Sequence, residues 1–192
     1  MAPKMIYLCR HGETEWSRSG QHTSSTDLDL TENGKEEAVK LGKTLQGIDF
    51  TRVLCSPLKR AQETAKLAGF SKYEIDEALF EWRYGDFEGL TSQEIKKKDP
   101  MWNLFEKGAP HGESIKDIET RIKKLVERLY RMEGNVLLFS SGHISRVIGA
   151  IWIKSPAHFG KFLKLSTASR SLLGYEHGYP VICGWNDISH LS

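Results

Sequence analysis

Three runs of consecutive apolar residues, Met5-Ile6-Tyr7-Leu8-Cys9, Val53-Leu54-Cys55 and Val136-Leu137-Leu138-Phe139, each break off into polar residues and then a helical pattern. Runs this short with no polar interruption belong to strands buried on both faces, as in a parallel sheet covered by helices. The alternation of strand and helix therefore points to parallel strands joined by helical crossovers. Late in the chain, Ser171–Glu176 and Pro180–Trp185 flank a Gly178-Tyr179 turn and read as an antiparallel hairpin. The expected fold is α/β, a single-domain three-layer sandwich over residues 1–192 with a mixed, mainly parallel sheet.

Helix signals fill the intervals. Thr31 opens a helix to about Gln46, with Leu41 and Leu45 on its apolar face and Gly47 as its stop. Pro57 stands at the favoured first position of a helix reaching about Ala68. Ser114 begins the longest helix, with Asp117 completing a capping box. Its stripe Ile115, Ile118, Ile122, Leu125, Val126 and Leu129 has the spacing of a core-facing side. Further helices are expected at Thr91–Lys98, Pro100–Glu106 and Ile144–Ile153, and a weak strand around Tyr73–Leu79. Residues 11–30 and 81–89 read as loops; one as long as the first is usually functional in a compact domain.

Composition narrows the function classes. A net charge of +2 gives no footing for nucleic acid, and Lys96-Lys97-Lys98 reads as a solvated helix end. Cys9 and Cys55 fall inside strands, where thiols pack as small hydrophobes, so no disulfide framework is expected. Met1-Ala2-Pro3-Lys4 leads directly into a strand without a signal-peptide pattern, and no apolar stretch approaches the roughly 20 residues of a membrane span. The expected location is cytoplasmic.

Chemistry gathers at the strand ends. The first strand ends in Arg10-His11, the second in Ser56-Pro57 with Arg60 just beyond, and the fourth in Ser140-Ser141-Gly142-His143. If the strands are parallel neighbours, all of these open onto one edge, where α/β folds bind ligands. Two positive helix ends and the arginines would make that edge a dianion site. A neutral His11 there can act as a nucleophile, and Glu81 as the proton donor to a leaving alcohol. Taken singly, each has a plain structural reading: a strand-capping histidine, a salt-bridged helix arginine, a solvated loop carboxylate.

The stretch Arg10-His11-Gly12-Glu13-Thr14-Glu15-Trp16 resembles the signature of the histidine phosphatase, or phosphoglycerate mutase-like, superfamily. So do Ser56-Pro57-Leu58-x-Arg60-Ala61-x-Glu63-Thr64-Ala65, Glu81-x-x-Tyr84-Gly85-Asp86-x-Glu88-Gly89 and Gly112-Glu113-Ser114. The resemblance implies His11 as a nucleophile that becomes a phosphohistidine, Glu81 as acid then base, and Arg10 and Arg60 as phosphoryl ligands. It also implies phosphate-binding roles for Ser17, Thr23, Ser141 and His143. Neither metal nor organic cofactor is implied. The expected partner is a small phosphorylated substrate or inorganic phosphate, with monomer and homodimer both open.

Mutases of this family carry a lysine where Ser92 stands and adjacent arginines in an insertion that Met101–Gly108 is too short to contain. Gly20-Gln21-His22-Thr23, Trp102-Asn103-Leu104-Phe105 and Gly174-Tyr175-Glu176-His177 are instead similar to a phosphatase subgroup that includes sedoheptulose-bisphosphatase-like enzymes. Phosphomonoester hydrolysis is therefore favoured over mutase chemistry.

One departure stands out. Aligning Gly142, His143 and Arg146 leaves Ser141 where relatives have a second active-site histidine. Losing one preorganised donor typically costs ~10²–10³ in rate. Either His143 swings in to serve, or the enzyme is slow or accumulates phosphohistidine, or the chain binds phosphorylated ligands without turnover. Ser141 is no hydrolase nucleophile, because Phe139 and His143 stand where the elbow needs glycines. Ser24 replaces a usual glycine, and Arg83 a usual acidic residue that, pointing inward, would weaken Glu81 as a donor.

Overall fold

The computed structural model describes residues 4–192; Met1-Ala2-Pro3, counted above in the domain and in the N-terminal reading, lie outside the described residues. Among these residues six strands form one sheet: β1 (Ile6–Arg10), β2 (Phe50–Cys55), β3 (Glu74–Ile75), β4 (Asn135–Ser140), β5 (Arg170–Glu176) and β6 (Tyr179–Asp187). Their order is β3-β2-β4-β1-β5-β6. β1 and β2 both pair parallel with β4, and β3 parallel with β2, while β5 and β6 add antiparallel at the other edge. The sheet is mixed and mainly parallel, as the sequence led one to expect.

Among the described residues seven α-helices accompany it: α1 (Glu15–Ser19), α2 (Glu32–Lys43), α3 (Lys59–Leu67), α4 (Ser92–Lys98), α5 (Leu104–Lys107), α6 (Ile115–Arg131) and α7 (Gly142–Trp152). The period of two along each strand divides the core into two layers. Cys9, Cys55, Leu137 and Phe139 point to one face and pack with Leu41 of α2 and Ala61 and Ala65 of α3. Ile6, Leu8, Val136 and Leu138 point to the other, against Ile122 and Leu125 of α6 and Ile144 and Ile148 of α7. The α6 stripe is buried from Ile118 to Leu129, each large aliphatic contributing roughly 2 kcal/mol by leaving water, while Ile115 in the first turn is only partly buried. Its Ser114–Asp117 capping box is formed.

All three cysteines are free, and burial pushes the Cys9 and Cys55 thiols up to about 12. Among the described residues, no helix is long and apolar enough to cross a membrane.

Several boundaries depart from expectation for local reasons. Residues 11–30 are not all loop: Thr14 and Ser17 form a capping box that starts α1. α2 ends at Lys43 because the Thr44 hydroxyl donates to the Leu41 carbonyl at 2.8 Å, closing the helix before Gly47. Pro57 precedes α3 instead of opening it; the helix begins at Lys59. α7 starts at Gly142, two residues earlier than Ile144. The hairpin turn is His177-Gly178, not Gly178-Tyr179, with φ of 50° and 81°, the pair of positive values that a tight two-residue turn requires. The Tyr73–Leu79 segment pairs over Glu74–Ile75 alone and then tightens into a 3₁₀ turn, Glu77–Leu79.

Candidate active site

In register, Arg10 lies beside Ser140, and Cys55 beside Phe139, so the carboxyl ends of β1, β2 and β4 share one edge. The chain leaving β1 is held there by backbone bonds: His11 N–H donates to Ser140 at 2.9 Å, and Ala168 N–H to the His11 carbonyl at 3.0 Å. The Thr64 hydroxyl accepts from Gly12 N–H at 3.0 Å. Gly12 and Gly34 allow this segment to cross the start of α2. A Cβ on Gly34 would lie 2.1 Å from the Glu13 carbonyl oxygen, and one on Gly12 2.3 Å from that of Gly34.

His11 is buried, with Nδ1 2.8 Å from the Gly12 carbonyl oxygen. A carbonyl can only accept, so Nδ1 carries the proton and the lone pair resides on Nε2. Burial first, then Arg60 and Arg10, hold this imidazole well below its ordinary range, keeping it neutral. A neutral imidazole with a free Nε2 is the form a nucleophile needs.

His11 lines a cavity of about 180 Å³ together with Arg10, Ser17, Thr23, Glu81 and His143. Arg60 and Ser141 are fully buried and are not part of its wall. Arg10 anchors through Nη1 to the Leu165 carbonyl at 2.7 Å, its guanidinium lying over Gly142. Arg60 ties down the incoming loop, donating to the carbonyls of Thr23, Ser24 and Thr26 at 3.1 to 3.3 Å. Of the five buried side-chain polar atoms without a partner among the described residues, three are Arg10 Nε, Arg60 Nε and Ser141 Oγ. Unsatisfied buried donors are costly, and these three lie where the ends of β1 and β4 meet the start of α3.

Glu81 is held more tightly than a loop carboxylate would be. Its oxygens accept from the backbone N–H groups of Trp82, Ile144 and His143 at 2.9, 2.8 and 3.0 Å. These occupy three of about four lone-pair sites, leaving one toward the cavity it lines. This corrects the expectation of two open positive helix ends. The start of α7 is capped by Glu81, and that of α3 by Asp27 Oδ1, which accepts from Lys59 N–H at 2.8 Å. It also explains Ser141: as N-cap of α7 its hydroxyl would normally accept from the second or third helical N–H. Glu81 has taken both, so Ser141 Oγ is left without a partner.

His143 does not replace a charged histidine. Its Nδ1 lies 2.7 Å from the Tyr84 hydroxyl, and its ring stacks parallel to His22 at 5.8 Å. Burial, then Arg146, keep it well below its ordinary range and hence neutral. The Ser17 hydroxyl is committed to the Thr14 carbonyl at 3.0 Å, and that of Thr23 to Gln21 at 3.1 Å. Arg83 turns outward, 4.5 Å over the Phe80 ring and half-exposed beside Glu113, so it does not reach the acid. The Ser24 hydroxyl is buried 3.4 Å from the Glu81 carbonyl oxygen. Arg146, Tyr84, His22 and Gln21 also line the cavity and were not singled out as site residues from sequence. Arg146 follows Gly142 by one helical turn, a spacing that places both on one face.

Among the described residues, no group of three or more His, Cys, Asp or Glu side chains is placed to hold a metal ion. Residues 6–188 match the histidine phosphatase superfamily (branch 1). An acid phosphatase of Mycobacterium tuberculosis is 38% identical over 177 residues, spanning 90% of this chain and 87% of its own. Sedoheptulose 1,7-bisphosphatase of Saccharomyces cerevisiae is 31% identical over 185 residues, spanning 79% of this chain and 68% of that one. A solved structure of a Mycobacterium tuberculosis protein superposes with a TM-score of 0.92 at 37% identity, covering 95% of this chain and 97% of that one. With an unprotonated Nε2 on His11 at the edge that Arg10 and Glu81 share, the chain belongs to branch 1 of the histidine phosphatase superfamily.

Proposed function

We propose that the protein hydrolyses the phosphomonoester of a small phosphorylated metabolite, such as a sugar phosphate, through a phosphohistidine on His11. The observation that carries this reading is the neutral, Nδ1-protonated His11 beside the unsatisfied guanidinium nitrogens of Arg10 and Arg60. Nε2 attacks phosphorus as the bond to the leaving oxygen breaks, and protonated Glu81 gives that oxygen its proton. The alcohol leaves. Glu81, now a carboxylate, takes a proton from water as the water oxygen attacks phosphorus. The P–N bond breaks, inorganic phosphate leaves, and His11 returns neutral. Arg10 and Arg60 balance the charge on the phosphoryl oxygens throughout. Ser141 contributes a hydroxyl and no charge, which slows turnover by ~10²–10³ relative to a site with a further cationic donor. The acid phosphatase and the bisphosphatase among the relatives support hydrolysis, and serine at position 92 disfavours a mutase clamp.

The test is phosphate release from p-nitrophenyl phosphate in the presence of a chelator, with and without His11→Ala. Release that survives His11→Ala, or that ceases in chelator, overturns the reading. The orphaned Ser141 hydroxyl favours one second reading, a phospho-ligand-binding protein with little turnover. Phosphate-competable binding in calorimetry with negligible hydrolysis would establish it.

A further inference from the structure

The segment Ala157–Phe162 is a 3₁₀ helix, in which side chains three residues apart share a face. Ala157 and Gly160 turn inward and are buried, while Phe159 and Phe162 turn outward, 44% and 70% exposed. The two outer rings meet edge to face at 5.8 Å. A lone exposed apolar side chain needs no explanation, but two bare aromatic rings in contact form a patch that a partner can cover.

The rings are displayed on a fixed support. Arg146 of α7 donates to the carbonyls of Gly160 and Lys161 at 2.9 and 3.0 Å. Trp185 of β6 and Arg10 of β1 hold those of Lys164 and Leu165 at 2.6 and 2.7 Å. The inner face is full: a Cβ on Gly160 would lie 2.7 Å from the Phe105 ring.

The charge around the rings has one sign. Residues 134–175 contain no Asp or Glu, and Lys154, Lys161 and Lys164 bracket the two phenylalanines in sequence. Lys161 Nζ lies 5.0 Å over the Phe162 ring. It pairs at 2.5 Å with Glu106 of α5, an exposed contact that a stronger anionic surface displaces readily. A second copy of the chain fits this face poorly, because a two-fold contact would set the lysines against their own counterparts. Neither ring lines the His11 cavity, and Phe162 projects into solvent, which suits a fluid surface that closes around it. Lying on a membrane, unlike spanning one, asks for no long apolar helix.

We propose that Phe159 and Phe162, with Lys154, Lys161 and Lys164, form a docking surface for an anionic lipid bilayer, the rings entering the headgroup boundary and the lysines meeting the headgroups. Arg146 and Leu165 also line the His11 cavity, so docking holds that cavity close to the lipid.

The experiment sediments the full chain with phosphatidylcholine vesicles, with and without about 30% phosphatidylserine. The chain binds the anionic vesicles about tenfold or more tightly than the neutral ones. Phe159→Ala with Phe162→Ala weakens that binding about tenfold, the scale of two half-exposed rings leaving water. Lys154→Ala with Lys164→Ala weakens it about tenfold as well and narrows the preference for phosphatidylserine. Unchanged urea midpoints show that both variants are folded. Binding that ignores the phenylalanines, or that is equal on the two vesicles, overturns the proposal. So does an absence of vesicle binding, which leaves the rings to a protein partner. A dimer in solution that Phe159→Ala with Phe162→Ala dissolves overturns it too, assigning the face to a second copy.

Discussion

Glu81 Oε2 accepts the backbone N–H of His143 at 3.0 Å, so one carboxylate both faces the cavity and caps the helix that forms its wall. Two roles in one side chain can be separated by substitution. Glu81→Ala strands three buried N–H groups and lowers stability by about 3 kcal/mol, whereas Glu81→Gln keeps an oxygen acceptor and loses about 1 kcal/mol. Both lower kcat by roughly 10²–10⁴ on an alkyl phosphate, whose leaving group needs a proton. The loss on p-nitrophenyl phosphate is smaller, because that leaving group departs unprotonated. Urea melts and the two substrates together check this; equal losses on both substrates would remove Glu81 as the acid.

The neutral histidines set the pH behaviour. His11 is held well below 6.5 by burial and then by Arg60 and Arg10, so the acid limb of kcat/KM for p-nitrophenyl phosphate falls below pH 6.5. Arg60→Gln removes one positive neighbour and moves that limb up toward 6.5, alongside any loss of rate. A limb that stays put would mean another group titrates.

Stability follows the same sign. His11, His22 and His143 are all shifted downward, burial leading in each. Below pH 6.5 the unfolded chain binds protons that the folded chain refuses, so stability is full above 6.5 and declines on acidification toward the folded values. Each histidine adds a slope of up to about 1.4 kcal/mol per pH unit in that window. Denaturant midpoints between pH 7.5 and 5 should fall, and His143→Asn should flatten the fall.

Ser141 Oγ gives up no protein hydrogen bond on removal, so Ser141→Ala changes stability by less than about 0.5 kcal/mol. If the hydroxyl donates to the phosphoryl group, kcat/KM falls roughly tenfold. Unchanged kcat/KM would assign the orphan to packing alone. Ser141→His raises kcat about 10²-fold if the scaffold is competent and only that donor is lacking. Intact ligand binding with no gain in rate favours the binding-protein reading.

Gly34→Ala places a methyl 2.1 Å from the Glu13 carbonyl oxygen, where backbone must move. Overpacking of this kind costs about 1–3 kcal/mol, and displacement of the segment carrying His11 lowers kcat by about tenfold or more. A variant with parental melting and rate would show that the crossing relaxes freely.

What could be read from the chain and what could not divides by distance along it. Buried runs, Thr31, Ser114 and the α6 stripe announce themselves within a few residues, so the sheet and most helices were legible. That Arg10, His11 and Glu81 come to one edge was legible too, because each sits beside a strand end or within a dense motif. α1 escaped notice since its Thr14–Ser17 cap is wholly polar and offers no apolar period. The capping of α7 by Glu81 joins residues about sixty positions apart, and nothing local signals it. For that reason the helix ends were expected to be open. That Lys96 and Lys161 stand beside Arg146 was likewise hidden, as lysines on short elements look like ordinary solvated ones until the chain folds.

The bonds that fasten His11 and Gly12 run to β4, to the segment before β5 and to α3, whereas Lys96 and Lys161 ride on α4 and a 3₁₀ segment outside the sheet. The amide hydrogens of His11 and Gly12 should therefore exchange with solvent only when the whole molecule opens, those around Lys96 far sooner. The edge that holds His11 and the surface that carries these lysines thus differ in permanence. A descendant of this chain can exchange those lysines without disturbing the framework that makes it fold.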